Sequence, residues 1–521
     1  MLKRAVIVHN DRLTRALLGV LLLAVVAAFG DLREPGLSTG DEALTALRAR
    51  GLVELGGWWT PYWNGDVDLH KPPLYLWLVG VAYQVFGVNE LSLRLPSVAA
   101  FLVLLAVVYR FARRLFDPAV GLLAAALTAA HPLLFSQSRV GMLDTTVILF
   151  SILAAAALTE KTSRSLYIFG LCSGLALLTK AAAAAPILLA TVIYVAAFER
   201  HLLSRRAFYA SLASAIVLPG IWFGSQLVLH PEELLGPHYE DFVDYRLNHD
   251  IWTSWFVYFK SLRYLWASFG GLAPLFFAAP LLVWTRPATK ATARLPREVL
   301  LLYLYGLITL ILVTAVRQQM TWYCLPVVVP MAILAGKLLV DLFRGELPRA
   351  VVVAASVLLS AGTFVPGAYL PQTGLIWGVR AAALFAIALV LAGKRLEPHA
   401  AAAFGLGLAL AVAGGLSLRN PQVNLHNPRD SSLYRHLAAV LCDQEQFPGR
   451  LIVDFRHFPQ NALMFYSGRD TAQLHRVSRD AFRQPRCAVL QGEGYQEHLA
   501  GRDVTVLRRV GDYSVLAIAS P

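Results

Sequence analysis

Apolar runs recur along the chain, each close to the roughly 20 residues that a helix needs to cross a hydrocarbon core of ~30 Å. Candidate spans lie at 14–30, 96–112, 119–135, 145–159, 166–180, 182–198, 208–229, 260–284, 299–316, 324–343, 350–370, 374–393 and 399–418, about thirteen in all. A chain built this way folds as an all-α polytopic membrane protein. Composition agrees: 57 % of the residues are hydrophobic against 15 % charged, and the mean hydropathy is +0.56. A soluble multidomain enzyme, a disordered scaffold and a disulfide framework are excluded. The first run follows Lys3, Arg4, Arg12 and Arg15 but lacks an A-x-A site, so it reads as an uncleaved anchor.

The net charge of +13, from 46 basic and 33 acidic residues, points to basic cytoplasmic loops and not to nucleic acid. Lys/Arg clusters occur at Lys3–Arg15, Arg110–Arg114, Lys161–Arg164, Arg200–Arg206, Arg286–Arg297, Arg344–Arg349 and Lys394–Arg395. An even number of spans separates successive clusters if the stretch Leu74–Val88 does not cross. That stretch is only about 15 residues long and carries amphipathic aromatics, which suits a helix lying in the outer interface. A straight helix over Leu166–Phe198 would be about 50 Å long, so this stretch must be interrupted. Charges within spans are few, Arg380 being the clearest, which argues against an ion-coupled transporter.

The organisation expected is a transmembrane domain over 1–419, with a large external loop at 31–96, followed by an external α/β domain over 420–521. The tail alternates a helical stretch, Asp430–Cys442, with short apolar strands at Leu451–Phe455, Cys487–Leu490, Val504–Leu507 and Ser514–Ile518. Cys442 and Cys487 both fall in this tail, whereas Cys172 and Cys324 lie in or beside spans. In an oxidising compartment the first two are expected to form a disulfide.

The first external loop opens with Gly40-Asp41-Glu42 and a helix near Asp41–Leu55. It continues through Trp58-Trp59-Thr60-Pro61-Tyr62 to Asp66, Asp68 and His70-Lys71-Pro72-Pro73. A second external acid, Asp144, follows Arg139-Val140-Gly141-Met142-Leu143. Further on, Leu177-Leu178-Thr179-Lys180 ends a span, and Arg317-Gln318-Gln319-Met320-Thr321-Trp322-Tyr323-Cys324-Leu325-Pro326 leads into another. Singly, each motif has a plain structural reading: acids complement a helix N-terminus, and interfacial aromatics anchor.

As an ordered set on one side, they resemble the GT-C fold glycosyltransferases, in the clan of protein O-mannosyltransferases and lipid A aminoarabinose transferases. The resemblance covers residues 14–345. It implies an integral glycosyltransferase that moves a sugar from a polyprenyl-phosphate carrier to an acceptor on the outer face of a bacterial inner membrane. The acceptor could be lipid A, a polysaccharide or a protein. By the same resemblance Asp41, with Glu42 beside it, supplies the catalytic carboxylate, and Asp144 supports the site. Lys71 and Tyr323 contact the carrier phosphate, with Arg317 and Arg246 as further candidates. A divalent metal ion is a candidate cofactor, with Asp41, His70 and Asp144 as candidate ligands. The chain departs from many relatives in having His70 where they have Glu, and five alanines after Lys180 where they have Gly.

The chemistry is consistent with these assignments. Attack on an anomeric carbon needs a carboxylate near the oxocarbenium-like centre, and a departing phosphate needs cations and donors. The energy resides in the sugar–phosphate bond, so no nucleotide site is required, and no G-x-G-x-x-G or P-loop is present. A lipid-linked sugar flippase is the alternative, since it would need the same cations but would gain little from the two external acids.

Overall fold

A computed structural model describes residues 40–129, 131–239, 296–314 and 321–344, with 19, 29, 30, 32, 36 and 37 before them. In the tail it describes 434, 436–441, 450–453, 458–467, 471–473, 486–491, 499, 503–510 and 513–518. The spans expected at 260–284, 350–370, 374–393 and 399–418, most of 14–30, and Arg246, Arg317 and Arg380 lie outside the described residues.

The described chain is mostly helical. Helix α1 (Gly40–Glu54) precedes a two-stranded ribbon, β1 (Tyr62–Trp63) and β2 (Asp66–Val67). Then come α2 (Leu74–Phe86), α3 (Glu90–Leu115), α4 (Pro118–Ala129), α5 (Pro132–Ser138), α6 (Asp144–Leu158), α7 (Ser163–Phe198), α8 (Arg206–Leu229) and α9 (Pro231–Tyr239). After residue 295 follow α10 (Glu298–Thr314), a 3-10 turn (Thr321–Val327) and α11 (Val328–Arg344). Among the described residues, four segments are long and apolar enough to cross a membrane: Glu90–Leu115, Ser163–Phe198, Arg206–Leu229 and Trp322–Asp341. The protein is therefore a multi-pass membrane protein.

Local signals set these boundaries. Gly87, at φ 77°, closes α2, and Asn89 opens α3 with a reciprocal capping box to Ser92. Helix α2 has 13 residues, about 20 Å, too short to span. One side buries Tyr75, Val79 and Tyr83, while the other exposes Leu78, Val81 and Val85. This is the two-sided apolar helix expected of an interfacial element. The run at 119–135 departs from expectation: it is not one span but two helices, α4 and α5. Pro132 pushes His131 to an extended conformation (φ −68°, ψ 114°), which stops α4, and the His131 ring then accepts the Leu134 N–H to start α5.

Helix α7 reverses direction at Lys180, where φ is −161° and ψ is 90°. Its two ends meet: Lys161 Nζ lies 2.6 Å from Glu199 Oε1, whereas a straight helix between them would hold them more than about 50 Å apart. The two halves are thus the arms of a hairpin with Lys180 at its tip. The same Lys161 reaches Glu298 at 2.8 Å, Arg114 pairs with Glu160, and Arg344 with Asp117. Basic residues from 114, 161, 205 and 344 therefore gather at one end of the bundle, as the charge parity anticipates.

In the tail, β3 (Leu451–Val453), α12 (Phe458–Ser467), β4 (Thr471–Gln473), β5 (Arg486–Gln491), β6 (Val504–Val510) and β7 (Tyr513–Ile518) form a mixed sheet of order β4-β3-β5-β7-β6. Strand β3 is parallel to β4 and β5, and β7 is antiparallel to β5 and β6. Apolar residues cover both faces: Leu451, Val453, Val489 and Val515 on one, Ile452, Leu490, Leu516 and Ile518 on the other. Cys487 is disulfide-bonded, while Cys172 and Cys324 remain thiols. Cys442, the partner expected from sequence, lies outside the described residues. Helix α12 docks on α1: Met464 and Phe465 pack with Leu37, Ala43 and Ala46, and the Leu37 N–H donates to the Tyr466 hydroxyl at 2.9 Å.

Candidate active site

At the end of the bundle opposite the basic gathering, the hairpin tip brings Lys180 to Asp144, the first residue of α6. Lys180 Nζ donates to Asp144 Oδ1 at 2.8 Å and sits over the Tyr323 ring, 5.3 Å from its centroid. Asp41, exposed in the first turn of α1, lies near enough to act on the Lys180 charge. The structure thus brings Asp41, Asp144 and Tyr323 together around a lysine. Asp144 is 4 % exposed, and its Oδ2 has no hydrogen-bond partner among the described residues. Burying a carboxylate oxygen without a donor is costly, so this atom is poised to accept one.

Glu42, next to Asp41, has a different environment. It is 0 % exposed and accepts from Arg94 through both oxygens, at 2.7 and 3.0 Å, and from the Gly141 N–H at 2.9 Å. Arg94 also donates to Leu32 O (2.9 Å) and Gly36 O (2.8 Å). This buried guanidinium therefore ties the chain before α1, the start of α1 and the turn before α6 to α3. Gly141 is required by the close approach: a Cβ there would meet Leu93 Cγ at 2.5 Å. A parallel link runs from the Tyr75 hydroxyl to Ser97 Oγ (2.6 Å) and on to Met142 O (2.9 Å), fixing the turn that delivers Asp144.

The Lys71 segment is held by a second buried pair. Arg48 of α1 clasps Asp68 at 2.8–3.0 Å, and Asp68 also takes the His70 N–H at 3.1 Å and its Nδ1 at 2.7 Å. Burial works against the Asp68 charge, but Arg48 and His70 outweigh it and hold the carboxyl well below the usual carboxylate range. Its folded pKa is depressed, so its stabilisation is complete above about pH 4 and fades as the pH falls below that value. Asp68→Asn should lower the melting temperature at pH 7, and its gap from wild type should narrow between about pH 4 and pH 3. A gap that stays constant over that range would show that charge is not what Asp68 contributes.

Half-buried Lys71 and buried Pro72 and Pro73 lead from this anchor into α2. Leu69 packs against Leu178, two residues before Lys180, which places the Lys71 segment beside the hairpin tip. The aromatic turn is pinned to α8: Trp59 Nε1 donates to Ser225 Oγ (2.8 Å), Trp222 Nε1 to Trp59 O (2.9 Å), and Trp59 stacks on Trp77.

Asp41, His70 and Asp144 are the metal-ligand candidates read from sequence. Among the described residues, no group of three His, Cys, Asp or Glu side chains could hold a metal ion. His70 is engaged by Asp68, and Lys180 occupies the position beside Asp144. Arg48, Arg94 and the pairing of Lys180 were not assigned from sequence. Their only sequence signal is a basic residue set in an otherwise apolar or helical run.

The fold is that of a polytopic membrane protein and is similar to the GT-C fold. Residues 70–223 match the family described as dolichyl-phosphate-mannose-protein mannosyltransferase. The structure is similar to the crystal structure of ArnT from Cupriavidus metallidurans bound to undecaprenyl phosphate, with a TM-score of 0.73 and 19 % identity, over 97 % of this chain and 99 % of that one. In sequence it is 27 % identical over 349 residues to the undecaprenyl phosphate-alpha-4-amino-4-deoxy-L-arabinose arabinosyl transferase of Pseudomonas aeruginosa (strain UCBPP-PA14). The match covers 63 % of this chain and 60 % of the relative. It is also 28 % identical over 223 residues to an uncharacterized protein of Aquifex aeolicus (strain VF5), covering 42 % of this chain and 44 % of the relative. The chain thus spans less than two thirds of the length of these two relatives.

Proposed function

We propose that the protein is an integral membrane glycosyltransferase that moves a sugar from a polyprenyl-phosphate carrier to an acceptor on the outer face of a bacterial inner membrane. The observation that carries this reading is the Asp41–Asp144–Lys180–Tyr323 cluster. It lies at helix ends, next to a lysine segment, in the fold of a protein whose structure holds undecaprenyl phosphate. A donor with an apolar tail keeps that tail in the bilayer, so its reacting phosphate must meet the protein where helices end.

In this mechanism Lys71 and the Tyr323 hydroxyl hold the carrier phosphate and stabilise the charge that develops as it departs. Asp41 takes the proton of the attacking acceptor group. Asp144, paired with Lys180 through Oδ1, accepts a hydrogen bond through Oδ2 and offsets positive charge at the anomeric carbon. Glu42 positions Asp41 through Arg94 and touches no reacting atom. Arg317 and Arg246 are retained as further phosphate contacts. No step is assigned to a metal ion. Lipid A, a polysaccharide and a protein hydroxyl are the acceptors considered.

The outer-face placement is supported by two features. Helix α12 packs on α1, so loop and tail share a side, and a disulfide at Cys487 suits an oxidising compartment. The domain division at about residue 420 is part of the same proposal. The test is equilibrium binding of undecaprenyl phosphate to purified protein in nanodiscs. Lys71→Ala should weaken it by roughly 1.5–3 kcal/mol through loss of a charge-assisted bond. Lys71→Arg should restore it only in part, because a planar fork does not replace a compact ammonium. Unaltered affinity in Lys71→Ala would remove Lys71 from the phosphate site.

A further inference from the structure

Helix α12 faces two ways. Ala462 and Leu463 pack into the tail sheet with Val453 and Val489. Met464 and Phe465, carried to the other side by about 100° of rotation per residue, pack with Leu37 and Ala43 at the start of α1. Tyr466 packs against both groups. Its hydroxyl accepts the Leu37 N–H at 2.9 Å, while Gly36 O, the carbonyl of the same peptide unit, accepts from Arg94 at 2.8 Å. One peptide plane is therefore held from both sides, by the tail domain and by α3, four residues before Asp41. The unit is planar and its two polar groups point in opposite directions, so the two bonds together fix its orientation. Leu37 is 1 % exposed, which leaves its N–H little water to turn to if Tyr466 lets go. Asp41 sits in the first turn of α1, so the direction of its carboxylate follows from how this end of the helix is seated.

Resting on the transferase reading, we infer that Tyr466 is a positioning residue, through which the tail domain sets the place of Asp41. Tyr466 and Arg94 act on the same peptide unit. The base helix is thus seated jointly by the membrane bundle and the tail domain, and the tail contributes to proton transfer through α1.

Tyr466→Phe keeps the ring and removes the hydroxyl, and full-length variants in nanodiscs test the inference. Phosphate binding is measured with undecaprenyl phosphate. Turnover is measured with radiolabelled undecaprenyl-phosphate hexoses, pentoses and 4-amino-4-deoxy-L-arabinose against lipid A, glycan and protein acceptors, using the pair that wild type turns over. Turnover of Tyr466→Phe should fall about five- to twentyfold, because small misplacements of a reacting group are costly, with undecaprenyl phosphate affinity within about twofold of wild type. In an Asp41→Asn background the same change should cost less than about twofold, since the group it positions is gone. Hydrogen exchange around residue 37 should quicken. Phe465→Ala, which loosens the docking without touching the hydroxyl, should also lower turnover and spare phosphate binding.

Full turnover or unchanged exchange in a folded Tyr466→Phe protein would overturn the inference. So would losses that multiply in the double variant, which would place the action of Tyr466 elsewhere than on Asp41. A matching loss of phosphate binding would reduce the contact to general support of the fold and overturn it too. In each of these cases a wild-type protein that binds undecaprenyl phosphate and transfers sugar keeps the transferase reading. A wild-type protein that does neither loses that reading, and the inference with it.

Discussion

Replacing Asp41 by Asn should reduce sugar transfer by about 10²-fold or more, the scale of a lost general base, while donor binding stays within a few-fold of wild type. Asn keeps the size of the side chain and its ability to hydrogen-bond, so the change isolates the charge. Because Asp41 is exposed in the first turn of α1, its structural alternative is to complement the helix N-terminus. That role is small and would not touch turnover. The affinity of a phosphate-bearing donor should, if anything, rise slightly when a nearby anion is removed. A folded Asp41→Asn protein with full turnover would reassign Asp41 as a helix-terminal acid. Equal loss of donor binding in Asp41→Asn and Lys71→Ala would mean that the first loop acts only as a structural unit.

The largest stability effect is expected at Arg94. Arg94→Met removes a guanidinium that is 1 % exposed and leaves the buried charge of Glu42, 0 % exposed and also bonded to the Gly141 N–H, without its cation. Breaking a buried pair from one side costs about 3–5 kcal/mol, more than the pair itself need contribute. It also frees two carbonyls, Leu32 O and Gly36 O, that Arg94 had satisfied. The double change Arg94→Met with Glu42→Gln should recover part of the loss, since no uncompensated charge remains. Thermal unfolding of the three variants in one detergent measures both effects. A single Arg94→Met change that costs under about 1 kcal/mol would show that Glu42 is solvated or protonated, contrary to its geometry.

Much of the frame was legible because it rests on local physics. Span length, charge parity and the shortness of Leu74–Val88 each follow from bilayer thickness, and the structure has α2 at Leu74–Phe86 and a reversal at Lys180. The apolar runs of the tail mark four of its five strands, while β4, only three residues long, carries too little pattern to be read. The break between α4 and α5 was missed because apolar periodicity runs through His131-Pro132, where the backbone cannot.

Inside the site, Asp41 and Glu42 are consecutive and chemically alike, yet about 100° of helix rotation sends one to solvent and the other into the bundle. Which of them meets Arg94 depends on a partner 52 residues away. Lys180 stood out as the end of a span, but its contact with Asp144 is a tertiary pairing across 36 residues. At Asp41, His70 and Asp144, too, residue types suggest a ligand set, and only packing decides whether such side chains converge.

The most direct test follows a radiolabelled sugar on its polyprenyl-phosphate carrier, incubated with purified protein in liposomes together with candidate lipid, glycan and protein acceptors. The account predicts that the label leaves the carrier and appears covalently on one acceptor, with polyprenyl phosphate released in equal amount. Asp41→Asn should bind the donor but leave the label in place. Label that stays on its carrier while wild-type protein moves it from one leaflet to the other would contradict the account and establish a flippase instead.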